Sequence, residues 1–284
     1  RCNSNGGTMQ KQEIDWGYAE RVANGNLDLE WLKNWDHDFE APSISPVGLT
    51  LRDIAVGKYG EIPEEAPLRT MAPRSCDRGP DLPDMGYKLN RREDVWATNV
   101  MELYEEAVSR QWSATADIPW TEIPDLPADI EHAMCQLCTF LSEVEMIASD
   151  FPAKWMWQIN HDYVELKMFL GTQIMDESRH TEVFRKRALV KGGGLGRATA
   201  MTEHFLKLVL DAQTYQEGSA LMHLLGEGMI LSVFRAGELL SPSPVEKKIF
   251  RMCMQDEARH VAYGTMHLRY ALENDPDKAE EFHQ

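Results

Sequence analysis

Two strings of the same make-up occur in this chain, Asp-Glu-Ser-Arg-His at 176–180 and Asp-Glu-Ala-Arg-His at 256–260. On a helix, residues three apart lie about one turn apart on the same side. Glu177 with His180, and Glu257 with His260, therefore each offer a carboxylate and an imidazole to one point. A single pair of this kind is common on solvated helix faces, and it is the repetition that carries information. A dinuclear metal site inside a four-helix bundle takes one Glu from each of two helices and a Glu-x-x-His from each of the other two. Two further inward carboxylates are thus required. Glu227 stands in the apolar run LLGEGMILSVF, where a charge is expensive unless it is paired or metal-bound. In FLSEVEMIA, Glu143 and Glu145 straddle Val144. Glu145 sits nearer the centre of the apolar stripe and is the expected ligand, with Glu143 as the alternative.

Four carboxylates and two imidazoles suit a pair of iron or manganese ions, because hard oxygen ligands hold the higher oxidation states. The four carboxylates also neutralise two divalent ions. The same strings supply outer support: Asp176 and Asp256 can accept from the far nitrogen of a ligand histidine, and Arg179 and Arg259 can orient those aspartates. The competing reading of the two arginines is a solvated helix face.

These groups need long helices. From Glu93 onward, long stretches without internal proline carry apolar residues at spacings of three and four, which predicts an all-α region. The expected helices run from about 93 to 112, 128 to 151, 161 to 190, 198 to 215, 218 to 240 and 245 to 273. Pro152 is expected to close the second, and GGGLG at 192–196 to stop the third. Ser243 and Pro244 suit the cap and first position of the last. Residues 1–92 are rich in Pro and Gly, with short helical patches such as Asp28 to Trp35. They are expected to form an irregular extension packed on a helical di-metal domain at 93–284.

The chain has 284 residues, 43% of them apolar, enough for a substantial core. Its 29 Lys+Arg against 46 Asp+Glu give a net charge of −17, which disfavours nucleic acid and anionic membranes as partners. Five cysteines (Cys2, Cys76, Cys135, Cys138, Cys253) are too few and too uneven for a secreted disulfide framework, so a cytoplasmic setting is expected. No stretch approaches eighteen consecutive apolar residues, and RCNSNGGTMQ lacks the apolar middle of a signal peptide. Arg1 cannot be an initiator, so Met9 is the expected start of a processed or partial chain.

On the strength of DESRH, DEARH and the carboxylates Glu145 and Glu227, residues from about 93 to 273 resemble the ferritin-like di-iron carboxylate superfamily. The resembling branch includes the small subunit of class I ribonucleotide reductase, bacterial multicomponent monooxygenases, acyl-carrier-protein desaturases and arylamine N-oxygenases. The resemblance implies a ferritin-like four-helix bundle holding two iron ions, with Mn/Fe as the variant, that activates O₂ with electrons from a donor protein. LYEEAVSRQWSATADIPW resembles the reductase helix whose tryptophan belongs to an electron path, which implies a path through Trp112, Asp256 and His180. The competing reading of Trp112 is packing outside the bundle.

Departures separate the branches. The reductase's radical tyrosine follows the first ligand histidine by one turn, and here Phe184 stands there. The N-oxygenases' additional histidine is replaced by Cys253, and the monooxygenases' active-site threonine by Leu231. His223, one turn before Glu227, is an extra ligand, a proton relay or a satisfied core histidine. Cys135 and Cys138 read as small helix residues rather than a redox dithiol, and GGGLG as a turn rather than a phosphate loop. Phe140, Leu141, Leu170, Phe184, Leu231 and Phe234 are the candidate substrate lining.

The expected function is a di-iron oxidoreductase that hydroxylates, desaturates or N-oxygenates a mostly apolar small molecule, in a chain that forms a homodimer. The alternatives are a radical-generating or Mn/Fe reductase-like oxidase, and a non-catalytic iron-handling bundle.

Overall fold

The computed structural model describes residues 17–25, 40–76 and 82–279. The chain divides into two compact units, 1–37 and 38–284. In the first, α1 spans Tyr18–Ala23. The patch Asp28 to Trp35, Cys2 and Met9 lie outside the described residues.

The second unit is all-helical. Short helices α2 (Leu51–Ile54) and α3 (Gly57–Gly60) precede α4 (Val100–Ser109), α5 (Ala128–Met156), α6 (Val164–Leu189), α7 (Ala200–Asp211), α8 (Tyr215–Ser219), α9 (Glu227–Leu240) and α10 (Pro244–Asn274). A π-helix, Ala220–Gly226, joins α8 to α9. Among the described residues the only β pairing is three isolated bridges. The long pair α5 and α6 packs together, α9 packs on α10, and these four helices form the bundle. No helix among the described residues is long and apolar enough to cross a membrane.

Local chemistry accounts for the boundaries. Ser243 Oγ accepts from Val245 N at 3.1 Å and Pro244 takes the first position of α10, where a missing N–H is harmless. Thr199 and Thr214 cap α7 and α8 in the same way. α6 ends at Leu189 and runs directly into a turn in which Gly192 has φ +76° and Gly194 N bonds back to Ala188 O at 3.0 Å. Two expectations need correction. Pro152 does not close α5, which continues to Met156; Phe151 and Trp155 pack on Tyr215 at ring separations of 5.7 and 6.0 Å, and this burial outweighs the lost hydrogen bond. The first expected helix is shorter, a 3₁₀ turn at Arg92–Asp94 followed by α4.

Residues 40–76 and 82–99 are tied to the long helices through buried and half-buried polar contacts. Arg74 pairs with Glu165 of α6, Tyr163 Oη donates to Asn90 O at 2.8 Å, and Leu51 N donates to Glu105 at 2.8 Å.

The bundle interior contains two apolar clusters. One gathers Ala148, Leu170, Met222 and Tyr263, the other Leu141, Phe184, Ile230 and Cys253. Along α5, α6 and α10, and along the π-helix and α9 taken together, Glu145, Glu177 with His180, Glu257 with His260, and Glu227 fall in sequence between a member of one cluster and a member of the other. A polar layer is thereby sealed between two dry ones.

Candidate metal centre

The six side chains, from α5, α6, α9 and α10, converge in two groups. Glu145, Glu177, His180 and Glu257 offer ligand atoms within 4.8 Å of one another, and so do Glu177, Glu227, Glu257 and His260. Glu177 and Glu257 belong to both groups. None of the six is more than 3% exposed. Glu145, not Glu143, enters the cluster; one residue along a helix is a rotation of about 100°, and Glu143 turns outward to accept from Ala198 N at 3.2 Å.

Each histidine directs Nδ1 inward. His180 Nδ1 lies 3.1 Å from Glu257, 3.3 Å from Glu145 and 3.4 Å from Glu177. His260 Nδ1 lies 2.9 Å from Glu177, 3.5 Å from Glu257 and 3.6 Å from Glu227. A single nitrogen cannot satisfy three carboxylates. Accordingly Glu145 Oε1, Glu227 Oε2, both oxygens of Glu177 and Glu257, and His260 Nδ1 are buried without a hydrogen-bond partner, as is His260 Nε2 on the far side of its ring. Native interiors rarely leave such groups unpaired. A cation at each group would satisfy all but that Nε2, so the residues present fit a pair of metal ions.

The electrostatics agree. Burial, reinforced by Glu257, raises Glu145 and Glu227 well above the ordinary carboxylate range. Burial works the same way on Glu177, but the two imidazoles reverse it and hold this acid low. Burial alone would keep both imidazoles neutral; Cys253, Asp256 and Glu145 around His180, and Asp176, Glu177 and Glu257 around His260, push both values up instead. Without cations, Glu145 and Glu227 and the two imidazoles favour their protonated forms, and bound metal ions would displace those protons.

The outer groups cross between α6 and α10. Asp256 Oδ2 lies 3.1 Å from His180 Nε2, and Asp176 Oδ2 lies 3.4 Å from His260 Nε2. Each aspartate meets both arginines: Arg259 Nη2 donates to Asp176 at 2.8 Å and Asp256 at 2.6 Å, and Arg179 donates to Asp256 at 2.9 Å and also to Asp176. The arginines are 2–3% exposed, which excludes a solvated face. Burial opposes ionisation of Asp176 and Asp256, yet the imidazoles and guanidiniums hold both below the ordinary value. Half-buried Trp112 donates from Nε1 to Asp256 Oδ2 at 2.7 Å. Trp112, Asp256 and His180 thus form one hydrogen-bonded chain, with Arg179 4.7 Å from the indole centre.

His223 is in neither group. Ser219 Oγ lies within hydrogen-bond distance of its Nδ1 at 2.8 Å, Gln173 meets its Nε2 at 3.2–3.3 Å, and Gln173 Nε2 donates to Glu227 Oε1 at 3.0 Å. Burial holds the imidazole well below its ordinary pKa. The sequence drew attention to His223 but gave no sign of Gln173, whose amide lies between it and the cluster. Gly264 permits this packing, since a Cβ there would fall on His223 Cβ. Gly264→Ala is expected to destabilise the fold by about 1–3 kcal/mol, read as a shifted denaturant midpoint. An unchanged midpoint would show that the His223 contact is not tight.

A cavity of about 410 Å³ adjoins the cluster, with Glu145, Glu227 and Glu257 in its wall. Of the expected lining residues only Phe140 borders it. Leu141, Leu170, Phe184 and Phe234 are fully buried in the apolar clusters, and Leu231 is half-buried away from the cavity. The missed wall is α7, which contributes Thr199, Thr202, Phe205 and Val209. Cys135 and Cys138 are free and buried; burial pushes Cys138 up to about 12. Cys253, beside His180, is pushed by burial to about 11. Both thiols stay protonated at neutral pH.

Neither a protein-family model nor any curated protein sequence matches the chain. Fold and site define the class of protein: an all-helical bundle whose buried carboxylate and histidine groups can hold metal ions.

Proposed function

We propose that this chain is a non-haem di-iron oxidoreductase of the ferritin-like carboxylate type, which oxidises an organic molecule with O₂. The observation that carries this reading is the pair of four-ligand groups sharing Glu177 and Glu257, with buried oxygens that nothing else satisfies. Glu145 and His180 would complete one position, Glu227 and His260 the other. A reduced iron pair held there supplies O₂ activation and substrate oxidation.

The chain's own residues supply the rest. Asp256 fixes the His180 imidazole from behind, Asp176 stands 3.4 Å behind that of His260, and the guanidiniums fix the aspartates, so the ligands are preorganised. Gln173 holds Glu227 Oε1 and leaves Oε2 for the metal side. The apolar clusters cover the ligands on both sides along the bundle and leave the cavity as the approach to them. The cavity admits the organic molecule beside Glu145, Glu227 and Glu257. Electrons come from an external donor protein, and Trp112, half-exposed and bonded to Asp256, is their point of entry.

That chain from Trp112 to His180 also favours a second reading, a reductase-like or Mn/Fe oxidase. Electron paramagnetic resonance after oxygenation separates the two, because a stable protein radical or a mixed-metal signal belongs to the second alone.

Anaerobic addition of ferrous iron is expected to load about two ions per chain, followed by O₂ consumption and a visible absorption change on aeration. A chain that takes up no stoichiometric iron would sink the proposal.

A further inference from the structure

The cavity's lining passes from exposed residues to buried ones. Its α7 lining runs from Thr199 to Val209, ten residues or about 15 Å of helix. α5 and α7 run in the same direction, since Glu143 accepts from Ala198 N while Lys154 Nζ donates to Leu210 O and Ala212 O. The Thr199 end therefore lies level with Glu143, and the Val209 end lies further along α5. At the first end Thr199 is exposed, and the lining residues Met201 and Met229 are 83% and 55% exposed. At the other end Val209, Met222 and Ala148 are all buried. Ala148 is one turn past Glu145, so the carboxylate wall stands about one turn, ~5 Å, short of the closed end.

The lining chemistry is one-sided. Its only ionisable members are Glu145, Glu227 and Glu257; no Lys, Arg or His borders the cavity. An anionic group carried inward would find no cationic side chain, and an unpaired buried charge is strongly disfavoured, whereas a cationic head would be drawn to the three carboxylates and away from the mouth. The remaining polar side chains are Thr199 and Thr202 towards the mouth, with hydroxyls 3.0 Å apart. Flexible methionines line both the mouth and the closed end, and such side chains adapt to a chain's contours.

We propose that this cavity binds a straight-chain aliphatic amphiphile tail first. Its uncharged polar head stays at the Thr199–Thr202 mouth, and its last few methylenes lie between the carboxylate wall and a stop formed by Val209, Met222 and Ala148. Taking this molecule as the substrate rests on the function proposed above, whereas the binding mode stands on the cavity alone. Val209 is the residue that sets chain length.

The test is displacement of the fluorescent probe N-phenyl-1-naphthylamine from the full chain, as purified and after metal removal, by primary alcohols from hexanol to hexadecanol. Each added methylene is expected to tighten binding about fourfold until the tail meets the stop, after which affinity levels off. Val209→Phe is expected to move that levelling point to shorter alcohols and Val209→Ala to longer ones. The Ala variant keeps the test decisive if the Phe variant fails to fold. Affinity indifferent to chain length, or a levelling point that Val209→Ala leaves in place, would overturn the binding mode. Alkanoates or alkylammonium ions binding as tightly as the matching alcohol would overturn the uncharged head. Alcohol binding with this length dependence in a chain that takes up no iron would refute the di-iron reading and leave the binding mode standing. Iron loading and O₂ consumption without alcohol binding would do the reverse.

Discussion

Glu177→Ala and Glu257→Ala are each expected to abolish binding of both metal ions, whereas Glu145→Ala and Glu227→Ala each leave one position able to bind. The asymmetry follows from geometry, since Glu177 and Glu257 belong to both ligand groups and Glu145 and Glu227 to one each. The loss in the first two variants should exceed the 10- to 100-fold typical of outer-partner mutations. Equilibrium dialysis with ferrous or manganous ion reads it as stoichiometry. Stability of the metal-free protein should move the other way. Burial holds the Glu145 carboxyl well above its ordinary pKa, so ionising it inside the bundle is unfavourable. Glu145→Gln removes that burden and should raise metal-free stability by about 1–3 kcal/mol while weakening metal binding. Four variants with equal metal content, or a Glu145→Gln protein less stable than the parent in chelator, would count against a two-position site.

Arg187→Met should lower unfolding free energy by about 3–5 kcal/mol without removing a ligand. Arg187 of α6 is 1% exposed. Its Nη1 and Nη2 donate to Glu131 of α5 at 2.7 and 2.8 Å, and its Nε donates to Glu246 of α10. Glu246 is itself 1% exposed, so losing the guanidinium strands a buried carboxylate. For a chain of this size the fall in melting temperature is on the order of 10 °C. Adding Glu246→Met should restore much of the loss, because removing both partners leaves no unpaired charge. If the single and double variants are equally destabilised, packing around the guanidinium stem rather than the ion pair is what matters there.

The fold was legible where its signals are local. Ser243 with Pro244, the glycines after α6 and the spacing of apolar residues each act within a few positions, and the helices they mark are present. Pro152 shows where such reasoning stops. Its local preference is to end a helix, but Phe151 and Trp155 meet Tyr215 from α8. No window of sequence around 152 contains that contact. The cavity failed for the same reason: four of six expected lining residues lie in the apolar clusters and Leu231 lies away from the cavity, while the missed wall is built by α7, whose place beside α5 is set by Lys154 reaching Leu210 and Ala212 and by Glu143 reaching Ala198.

By itself the sequence determined that the chain is helical and that Glu177 with His180, and Glu257 with His260, share a face, because 3.6 residues per turn sets relative direction within one helix. A charge at Glu227 in an apolar run could likewise be read from the cost of burying it. Tertiary structure decided between Glu143 and Glu145, crossed Asp176 to His260 and Asp256 to His180, placed Gln173 between His223 and Glu227, and opened a cavity on one side of the cluster. Each of these depends on how far one helix is rotated and shifted against another. That rotation is set by packing between residues far apart in the chain, which helical periodicity does not encode.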